Sequence, residues 1–458
     1  MSRGGLGREA HHETSNLSRE NTNIKTGHNG SPTRGEAESP SAPTKPHSDA
    51  SASPSEVTYP EGGLRAWLVV LGSFSGMLAS FGLMNIVGTF QAYLTTHQLA
   101  NESPSTVGWI FSIYVFLAFG CGLQIGPIFD RKGSRWLVLA GTVCLVVGMI
   151  GVSESTKFWH FILTFSILGG VGTSLIFTPA VGAIAHFFCH RRGAATGLAA
   201  TGGSFGGIIF PLALEALFPK VGFAWSVRLL ALIFLVLLVI ANLLIRTRLP
   251  PTSGGSVWPD FRIFEDVTFA LTTAGVFFVE WGLFVPLSFL SSYALANGVN
   301  TTFSYQLLAI LNAGSVFGRA VPGYVADRLG RFNTMIATVA LCLVSSLGIW
   351  LNVGGNVAGL CVFAVLFGFA SGSNISLTPV CVGQLCEPEV FGRWYGTMYT
   401  IVSIGCLTGI PIAGEILARN KGDYWGLIVF TGLSYAAGLM CFTTARIRKV
   451  GWRLTAVY

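Results

Sequence analysis

Charged residues are scarce in this sequence. Only 11% of the 458 residues are Asp, Glu, Lys or Arg, whereas soluble domains carry about 25%, and 51% are hydrophobic. Of the 49 charged residues, 15 lie in residues 1–65, which leaves the remaining chain poorer still. A water-soluble globule cannot cover its surface with so few charges. The composition therefore excludes a soluble enzyme and a nucleic-acid-binding protein, despite the formal net charge of +7.

Paired cysteines and nucleotide-binding loops are also absent. The nine cysteines, all between Cys121 and Cys441, contain no CxxC pair, which excludes a disulfide framework and a structural zinc site. No Walker loop occurs, so ATP does not drive the protein directly. His186 and His190 have i, i+4 spacing but lack an acidic partner, and we place them at the end of a helix. The sequence predicts no metal, no cofactor, no enzymatic activity and no obligate protein partner.

The first sixty residues have few large apolar side chains. Ser, Pro, Gly, Asn and Glu dominate this segment. It cannot bury enough apolar surface to offset the entropy cost of ordering, so we predict a disordered cytosolic tail over residues 1–60. It also lacks the apolar run of a cleaved signal peptide.

Long apolar runs fill the chain from Ala66 onward. Each has about twenty residues or more, the length that a helix needs to cross a bilayer. The twelve predicted spans lie near 66–94, 107–129, 136–153, 158–188, 193–218, 226–246, 267–296, 304–325, 332–351, 355–386, 391–418 and 424–445. A hydrophilic connector at 249–266 separates a six-helix half at 61–248 from a second at 267–446, and a cytosolic tail follows at 447–458.

Basic residues predict the orientation of these spans. If the N-terminus is cytosolic, the loops and the C-terminal tail on the inside carry fifteen Lys and Arg residues, and the outside loops carry five. This bias places both termini in the cytosol, and we expect the plasma membrane as the location. Asn101 and Asn300 lie in glycosylation sequons within predicted outside loops.

Internal repeats relate the two halves. The run Gly-Pro-Ile-Phe-Asp-Arg-Lys-Gly at 126–133 recurs 197 residues later as Gly-Tyr-Val-Ala-Asp-Arg-Leu-Gly. Thr-Pro at 178–179 and Pro-Leu-Ala-Leu-Glu at 211–215 both recur 200 residues later, the second with two changes in the middle. Repeated six-helix units with a binding site between them are a common transporter architecture. We therefore predict an all-α integral membrane protein whose twelve helices form two six-helix repeats.

The repeated Gly-x-x-x-Asp-Arg-x-Gly element resembles the signature loop of the major facilitator superfamily, which lies between spans 2 and 3 and again between spans 8 and 9. Its Asp side chains can face a helix N-terminus, and its arginines can reach carboxylates or helix C-termini across the cytosolic seam. This resemblance predicts a cytosolic gate, against the simpler interpretation that these are only positively charged inner loops. The predicted gate residues are Asp130, Arg131, Arg135, Asp327, Arg328 and Arg331.

Two further segments resemble the monocarboxylate porters, in particular the fungal members. Glu-Gly-Gly-Leu-Arg-Ala-Trp at 61–67 is similar to the first signature of that family, and residues 187–199 are similar to the second. The resemblance covers about residues 59–446. It implies a transporter, because fungal members carry organic acids, riboflavin-like vitamins or exported secondary metabolites.

Glu215, Glu280, Arg319 and Glu415 are ionisable residues within the predicted spans. Such groups cost several kcal/mol in a bilayer and are functional candidates. Arg319 shares one helix face with Asn312 and Ser315, which suits either an anionic substrate group or a salt bridge inside the bundle. The resemblance aligns it with the span-8 arginine of monocarboxylate porters. Glu215 and Glu415 lie near the outer ends of their spans and are assigned an outer-gate or structural role.

The chain departs from the porter pattern at two positions. Porters have an Asp four residues before that arginine, where this chain has Ser315, and a Lys late in span 1, where Asn85 or Ile86 stands. Glu280, in the middle of span 7, is our candidate for the proton-carrying group, although a neutral Glu hydrogen-bonded between helices is the alternative. The candidate substrate-binding residues are Arg319, Asn312, Ser315 and Asn85.

These observations predict a secondary active, proton-linked transporter of a small organic anion or polar metabolite in the lipid bilayer. Its partners are the small-molecule substrate and protons. The alternative is an efflux pump that exports a fungal secondary metabolite. A transporter-like nutrient receptor is less well supported, since such receptors carry a long folded cytosolic extension.

Overall fold

The structure is a computed structural model that describes residues 59–249, 258, 261–453 and 456–458. The predicted tail at 1–60 lies outside these residues except for its last two, and so does much of the connector at 249–266. Helices make up nearly all of the described chain, and no strand occurs within it. The helices are α1 (Gly63–Thr96), α2 (Thr106–Lys132), α3 (Arg135–Glu154), α4 (Phe158–Ala185), α5 and α6 (together Arg192–Leu244), α7 (Val267–Ala296), α8 (Thr301–Leu329), α9 (Arg331–Val353), α10 (Val357–Leu385), α11 (Pro388–Arg419) and α12 (Trp425–Val450).

Ten helices of the described residues are long and apolar enough to cross a membrane. One of these, Arg192–Leu244, makes two spans because the chain turns back at Gly222, whose φ of 77° and ψ of 170° are not helical. Gly222 follows Pro219, and a positive φ is easily adopted only by glycine. α8 is as long as its neighbours but more polar, and it completes the twelve spans. The predicted two-repeat architecture is confirmed, and the helix ends lie within about five residues of the predicted span ends.

Each half packs as its own bundle. In the first half (α1–α6), α1 packs against the continuous helical stretch that contains α5 and α6. In the second half (α7–α12), α8 packs against α10 and α7 against α12. The outer surfaces of the bundles carry exposed apolar stripes, such as Leu139, Val143, Val147 and Ile150, spaced three or four residues apart on α3. Such faces suit lipid, and the polar residues are left for the interior.

The halves meet where α2 crosses α11 and where α5 crosses α8. Both crossings are made by glycines in very close contact. A Cβ on Gly126 would overlap the Gly392 carbonyl oxygen, and a Cβ on Gly193 would overlap the Gly323 carbonyl oxygen. Close approach of this kind is the usual reason for small residues at membrane helix interfaces. Both crossings lie toward the face on which α1 begins and α12 ends, which we call the terminal face; the opposite side is the far face.

Candidate functional site

Arg319 lies at the centre of the interface between the halves. It is 3% exposed and lies on α8, about 15 Å of helix rise from the terminal end at Leu329. Its Nη1 donates to the Ala200 carbonyl oxygen of α5 at 2.7 Å, and its Nε donates to Ser315 Oγ at 3.3 Å. The guanidinium carbon lies 5.9 Å from the centre of the Phe81 ring. The cation is therefore held by one hydroxyl of its own helix and by a carbonyl group and a ring face of the opposite half.

Small residues of α5 surround this guanidinium. Ser204 Oγ donates to Ser315 Oγ at 2.9 Å, and Asn85 Nδ2 donates to the Gly203 carbonyl oxygen at 3.0 Å. A Cβ on Gly203 would lie 2.6 Å from Arg319 Nη1, so a larger residue there would displace the guanidinium. The structure thus brings three of the four predicted substrate residues, Arg319, Ser315 and Asn85, around one turn of α5.

Asn312, the fourth of them, lies one helical turn from Ser315 toward the far face. It is 6% exposed, and its Nδ2 donates to the Leu308 carbonyl oxygen of its own helix at 3.0 Å. Its amide group faces Gly207 of α5, where an added Cβ would meet it at 2.6 Å. The run Gly-Gly-Ser-Phe-Gly-Gly at 202–207 is the sequence signal for this contact, which was not predicted.

Glu280 lies on α7, about 20 Å of helix rise from its start at Val267. Its side chain is 2% exposed. The charged group that acts on it is the guanidinium of Arg319, although the two form no ion pair in the described part of the chain. Two ionisable groups of opposite type therefore share the buried centre of the molecule without an ion pair between them.

Five aromatic rings beside this centre form one cluster across the interface, which we call the aromatic floor. Phe81, Phe119 and Phe177 come from three helices of the first half, and Tyr395 and Tyr399 come from α11. Phe119 stacks on Tyr399 with 5.0 Å between ring centres, and Phe177 lies 5.7 Å from Tyr395. All five are at most 4% exposed. The aromatic floor was not predicted from the sequence, because its members are scattered over four helices and share no spacing.

Two aspartates join the halves at the terminal face. Asp130, at the end of α2, accepts hydrogen bonds from the backbone N–H groups of Gly392 at 2.8 Å and Arg393 at 2.7 Å. Asp327, at the end of α8, accepts from Gly193 and Ala194, both at 2.8 Å. Each carboxylate therefore caps the N-terminus of a helix in the other half, where the helix dipole favours negative charge. The same aspartate cap therefore occurs once in each of the two sequence repeats.

The predicted gate arginines divide into two groups. Arg331 donates across the halves to the Cys189 carbonyl oxygen beyond the end of α4. Arg328 instead lies over the Tyr324 ring of its own helix at 4.5 Å. Arg131 and Arg135 are exposed, and the described residues offer them no hydrogen bond or ion pair. Among the described residues, neither arginine therefore bonds to the other half of the protein in this conformation.

Arg192 is a further residue at the contact between the halves, and the sequence did not predict its role. It is 3% exposed and donates to three carbonyl oxygens, those of Ala185 and Phe188 in its own half and that of Gly383 at 2.7 Å in the other. Positive charge at helix C-termini is favourable, because unpaired carbonyl groups collect there. Arg192 thus links the ends of α4 and α10.

The two segments that resemble porter signatures contact one another. The Glu61 carboxylate accepts hydrogen bonds from the N–H groups of Cys189, His190 and Arg191, at 2.7, 2.8 and 3.1 Å. The ring of Trp67 packs edge-on against Phe188 at 5.4 Å. Partial burial raises the pKa of Glu61, but the three N–H donors outweigh it, so the net pKa lies below the ordinary value. The first signature therefore anchors the loop that leads into α5.

The remaining predicted residues lie at the surface. Glu215 is exposed, and Glu415 forms an exposed i, i+4 ion pair with Arg419 at 2.7 Å. Asn101 and Asn300 are exposed in the α1–α2 and α7–α8 connections on the far face. All nine cysteines are free, and among the described residues no three His, Cys, Asp or Glu side chains are placed to hold a metal ion.

We expect Asp130→Asn and Asp327→Asn each to weaken the closed terminal face without unfolding the protein. Loss of a carboxylate at a helix N-terminus costs about 1 kcal/mol, or roughly fivefold in an equilibrium. Hydrogen–deuterium exchange of the capped amides, at 392–393 and 193–194 respectively, should rise by that factor, and initial transport rates should change. Asp423→Asn, at an exposed far-face residue, is the control. Unchanged exchange and transport in both seam variants would contradict this role.

Comparison with known proteins places the chain in a family. Residues 71–356 match the model of the Major Facilitator Superfamily, and residues 281–446 match that of sugar and other transporters. The chain is 38% identical over 420 residues to the riboflavin transporter of Saccharomyces cerevisiae, covering 86% of this chain and 81% of that protein. It is 37% identical over 400 residues to the aspyridones efflux protein of Emericella nidulans, covering 87% and 81%.

The fold is similar to that of the human organic anion transporter, with a TM-score of 0.65 at 15% identity, over 82% of this chain and 98% of that chain. The family model covers more than half of this chain, and both fungal relatives exceed 30% identity. The chain is therefore a multi-pass membrane transporter that belongs to the Major Facilitator Superfamily.

Proposed function

We propose that this transporter carries a small organic anion or strongly polar metabolite in a proton-linked manner. The observation that carries the proposal is the buried guanidinium of Arg319, held at the interface of the halves by the Ala200 carbonyl and the Phe81 ring. Those partners are weak compared with a carboxylate, which guanidinium binds through two parallel bonds. An anionic substrate group can therefore replace them at little cost.

Transport follows from rocking of the two halves about this site. In the described part of the chain, every hydrogen bond between the halves lies in the terminal-face half of the bundle, from Asp130 and Asp327 up to Ser204. We infer that this conformation is closed at the terminal face and admits substrate from the far face. Opening the terminal face then requires separation of both aspartate caps, the Arg192 link and the aromatic floor.

We assign the terminal face to the cytosol and the location to the plasma membrane. The positive residues of the loops on that face support the assignment, since cytosolic loops are rich in Lys and Arg. Asn101 and Asn300 then lie on the outside, where they are available for glycosylation. Protease protection of tags at the two termini in sealed vesicles tests this topology, and digestion of the two tags from opposite sides would overturn it.

Export of a secondary metabolite is the second candidate function. It is favoured by Ser315, which stands where the monocarboxylate porters that the chain resembles have Asp, and by Asn85 or Ile86, which stands where they have Lys. A relative named as an aspyridones efflux protein also favours it. A riboflavin transporter among the relatives favours uptake instead. The floor of five rings suits a planar conjugated substrate in either direction.

The test is transport by the purified full-length chain in proteoliposomes with an imposed pH gradient. Labelled lactate, riboflavin and an aromatic polyketide acid serve as probes, in matched vesicles with and without the gradient. Gradient-dependent movement of at least one probe, with an Arg319→Ala chain inactive toward it, supports the proposal. Transport that ignores the gradient, or that survives in Arg319→Ala, contradicts it.

A further inference from the structure

The stretch that follows α12 folds back onto the connection between α8 and α9. The Tyr458 ring stacks on the ring of Phe332, with 5.0 Å between ring centres and 25° between the planes. The backbone oxygen of Tyr458 accepts hydrogen bonds from the N–H groups of Phe332 at 2.8 Å and Asn333 at 3.4 Å. Because α9 begins at Arg331 without a side-chain cap, this oxygen satisfies N–H groups of its first turn.

Ala456 makes a second contact with the same end of α9. Asn333 Nδ2 donates to the backbone oxygen of Ala456 at 2.8 Å, and Nη2 of Arg446 donates to the same oxygen at 3.2 Å. Arg446, on α12, is 6% exposed, and its Nε donates to the side-chain oxygen of Asn333. This buried guanidinium therefore ties α12, α9 and residues 456–458 together, and we call residues 456–458 the tail brace.

Gly330 lets the tail brace pack tightly against the turn between α8 and α9. Its φ is 99°, which glycine adopts easily, and a Cβ there would lie 2.5 Å from the backbone nitrogen of Tyr458. Gly330 stands between Asp327 and Arg331, which bond to backbone groups of the first half. The turn therefore contacts the tail brace through its glycine and the first half through its charged residues.

The first half supports its own copy of this turn with the chain that follows α6. A Cβ on Gly133 would lie 3.0 Å from Thr247 Oγ1, and Ser134 Oγ donates to the Ile245 carbonyl oxygen at 3.4 Å. Gly133 and Gly330 end the two copies of the repeated element, and both have a positive φ. In each half, the chain that leaves the sixth helix therefore packs against the glycine of the turn.

We propose that the tail brace positions Asp327 and Arg331 for their contacts with the first half, and thereby stabilises the closed terminal face. The turn begins α9 with a glycine and a backbone cap, so its orientation depends on the segment that supplies the cap. Loss of the tail brace frees the turn to move away from the first half while α8 and α9 stay folded. The inference rests on the alternating-access part of the proposed function, in which the terminal face closes.

Hydrogen–deuterium exchange of the purified full-length chain in nanodiscs tests the inference without any substrate. The amides of Phe332 and Asn333 report release of the tail brace, and those of Gly193 and Ala194 report release of the Asp327 cap. Tyr458→Ala removes the stacked ring, which changes an equilibrium by about threefold to tenfold. We expect exchange at 332–333 to rise by about that factor, and exchange at 193–194 to rise by at least about twofold.

Two variants and one pair of amides serve as controls. Tyr458→Phe keeps the ring and the backbone contacts, so its exchange should equal that of the unmodified chain. Trp452→Ala is the matched control, because Trp452 is an aromatic residue of the same stretch that is 83% exposed. The amides of Gly392 and Arg393 are the internal reference, since a different aspartate, Asp130, caps them, and their exchange should not change.

A double variant separates a positioning role from a purely structural contact. In an Asp327→Asn chain the cap is already weakened, so the addition of Tyr458→Ala should raise exchange at 193–194 little further. Unchanged exchange at 193–194 in Tyr458→Ala, an equal rise at 392–393, the same effect in Tyr458→Phe or Trp452→Ala, or full additivity with Asp327→Asn would each overturn the inference. Because the assay contains no substrate, its failure is distinct from a failure of the transport proposal.

Discussion

Arg319→Ala should abolish most transport while leaving the fold intact. The substitution removes the cation that we assign to the anionic part of the substrate, and bonds to a charged group contribute about 1.5–3 kcal/mol each. We therefore expect a loss of roughly 10- to 150-fold in kcat/KM. The backbone carbonyl of Ala200, which loses its donor, remains within the α5 helix, so the loss of stability should be small.

Arg319→Lys should retain little of the transport activity that Arg319→Ala loses. The lysine ammonium group keeps the positive charge, but it lacks the planar set of N–H donors that the guanidinium group has. It therefore cannot donate to Ala200, Ser315 and a carboxylate in the same geometry. Arg228→Ala is the matched control, since Arg228 is a half-exposed arginine that pairs with Glu154 at the surface. Initial rates at equal surface expression provide the measurement. Unchanged affinity and rate in Arg319→Ala would end the assignment.

A charge exchange separates a substrate site from a structural ion pair. If Arg319 and Glu280 serve only to neutralise each other, the double variant Arg319→Glu with Glu280→Arg should recover the activity that each single variant loses. If Arg319 binds substrate, the double variant stays inactive because the cation has moved to α7. The absence of a direct ion pair between them in the described residues favours the second outcome.

The helices were predictable because a bilayer imposes a simple rule on the sequence. A span needs about twenty apolar residues, and the lipid-facing side needs no partner, so runs such as 136–153 predict α3 directly. The repeat at 126–133 and 323–330 likewise predicts equivalent places at the ends of α2 and α8. The turn at Gly222 within Arg192–Leu244 was visible only as a gap between two apolar runs.

The interior faces of the helices were less predictable. Polarity selected Arg319 and Glu280, because each is unusual within a span, but it says nothing about partners on other helices. A single sequence does not show which residues of different helices contact each other. The aromatic floor, the contacts of the α5 glycines and the buried position of Arg192 all depend on such contacts, so they were not predicted. The surface positions of Arg131 and Arg135 show the same limit, since a motif names residues but not the direction of their side chains.

Glu280→Gln should separate substrate movement from proton movement. The carboxyl of Glu280 lies at mid-depth on α7, 2% exposed, and the cation of Arg319 is the charged group that acts on it. Glutamine keeps the size and hydrogen-bonding capacity of the side chain but cannot bind or release a proton. We therefore expect net transport driven by a pH gradient to fall at least tenfold, while exchange of labelled for unlabelled substrate without a gradient continues near its original rate.

The measurement compares these two modes in the same proteoliposomes. Glu154→Gln is the control, because Glu154 is an exposed glutamate at the end of α3 whose loss should alter neither mode. A neutral glutamate that only joined helices would give a different pattern, since its replacement by glutamine would leave both modes intact. A general defect in packing would lower both modes together. Only a proton-linked group loses the gradient response and keeps exchange, because exchange returns the loaded carrier without requiring the proton to leave.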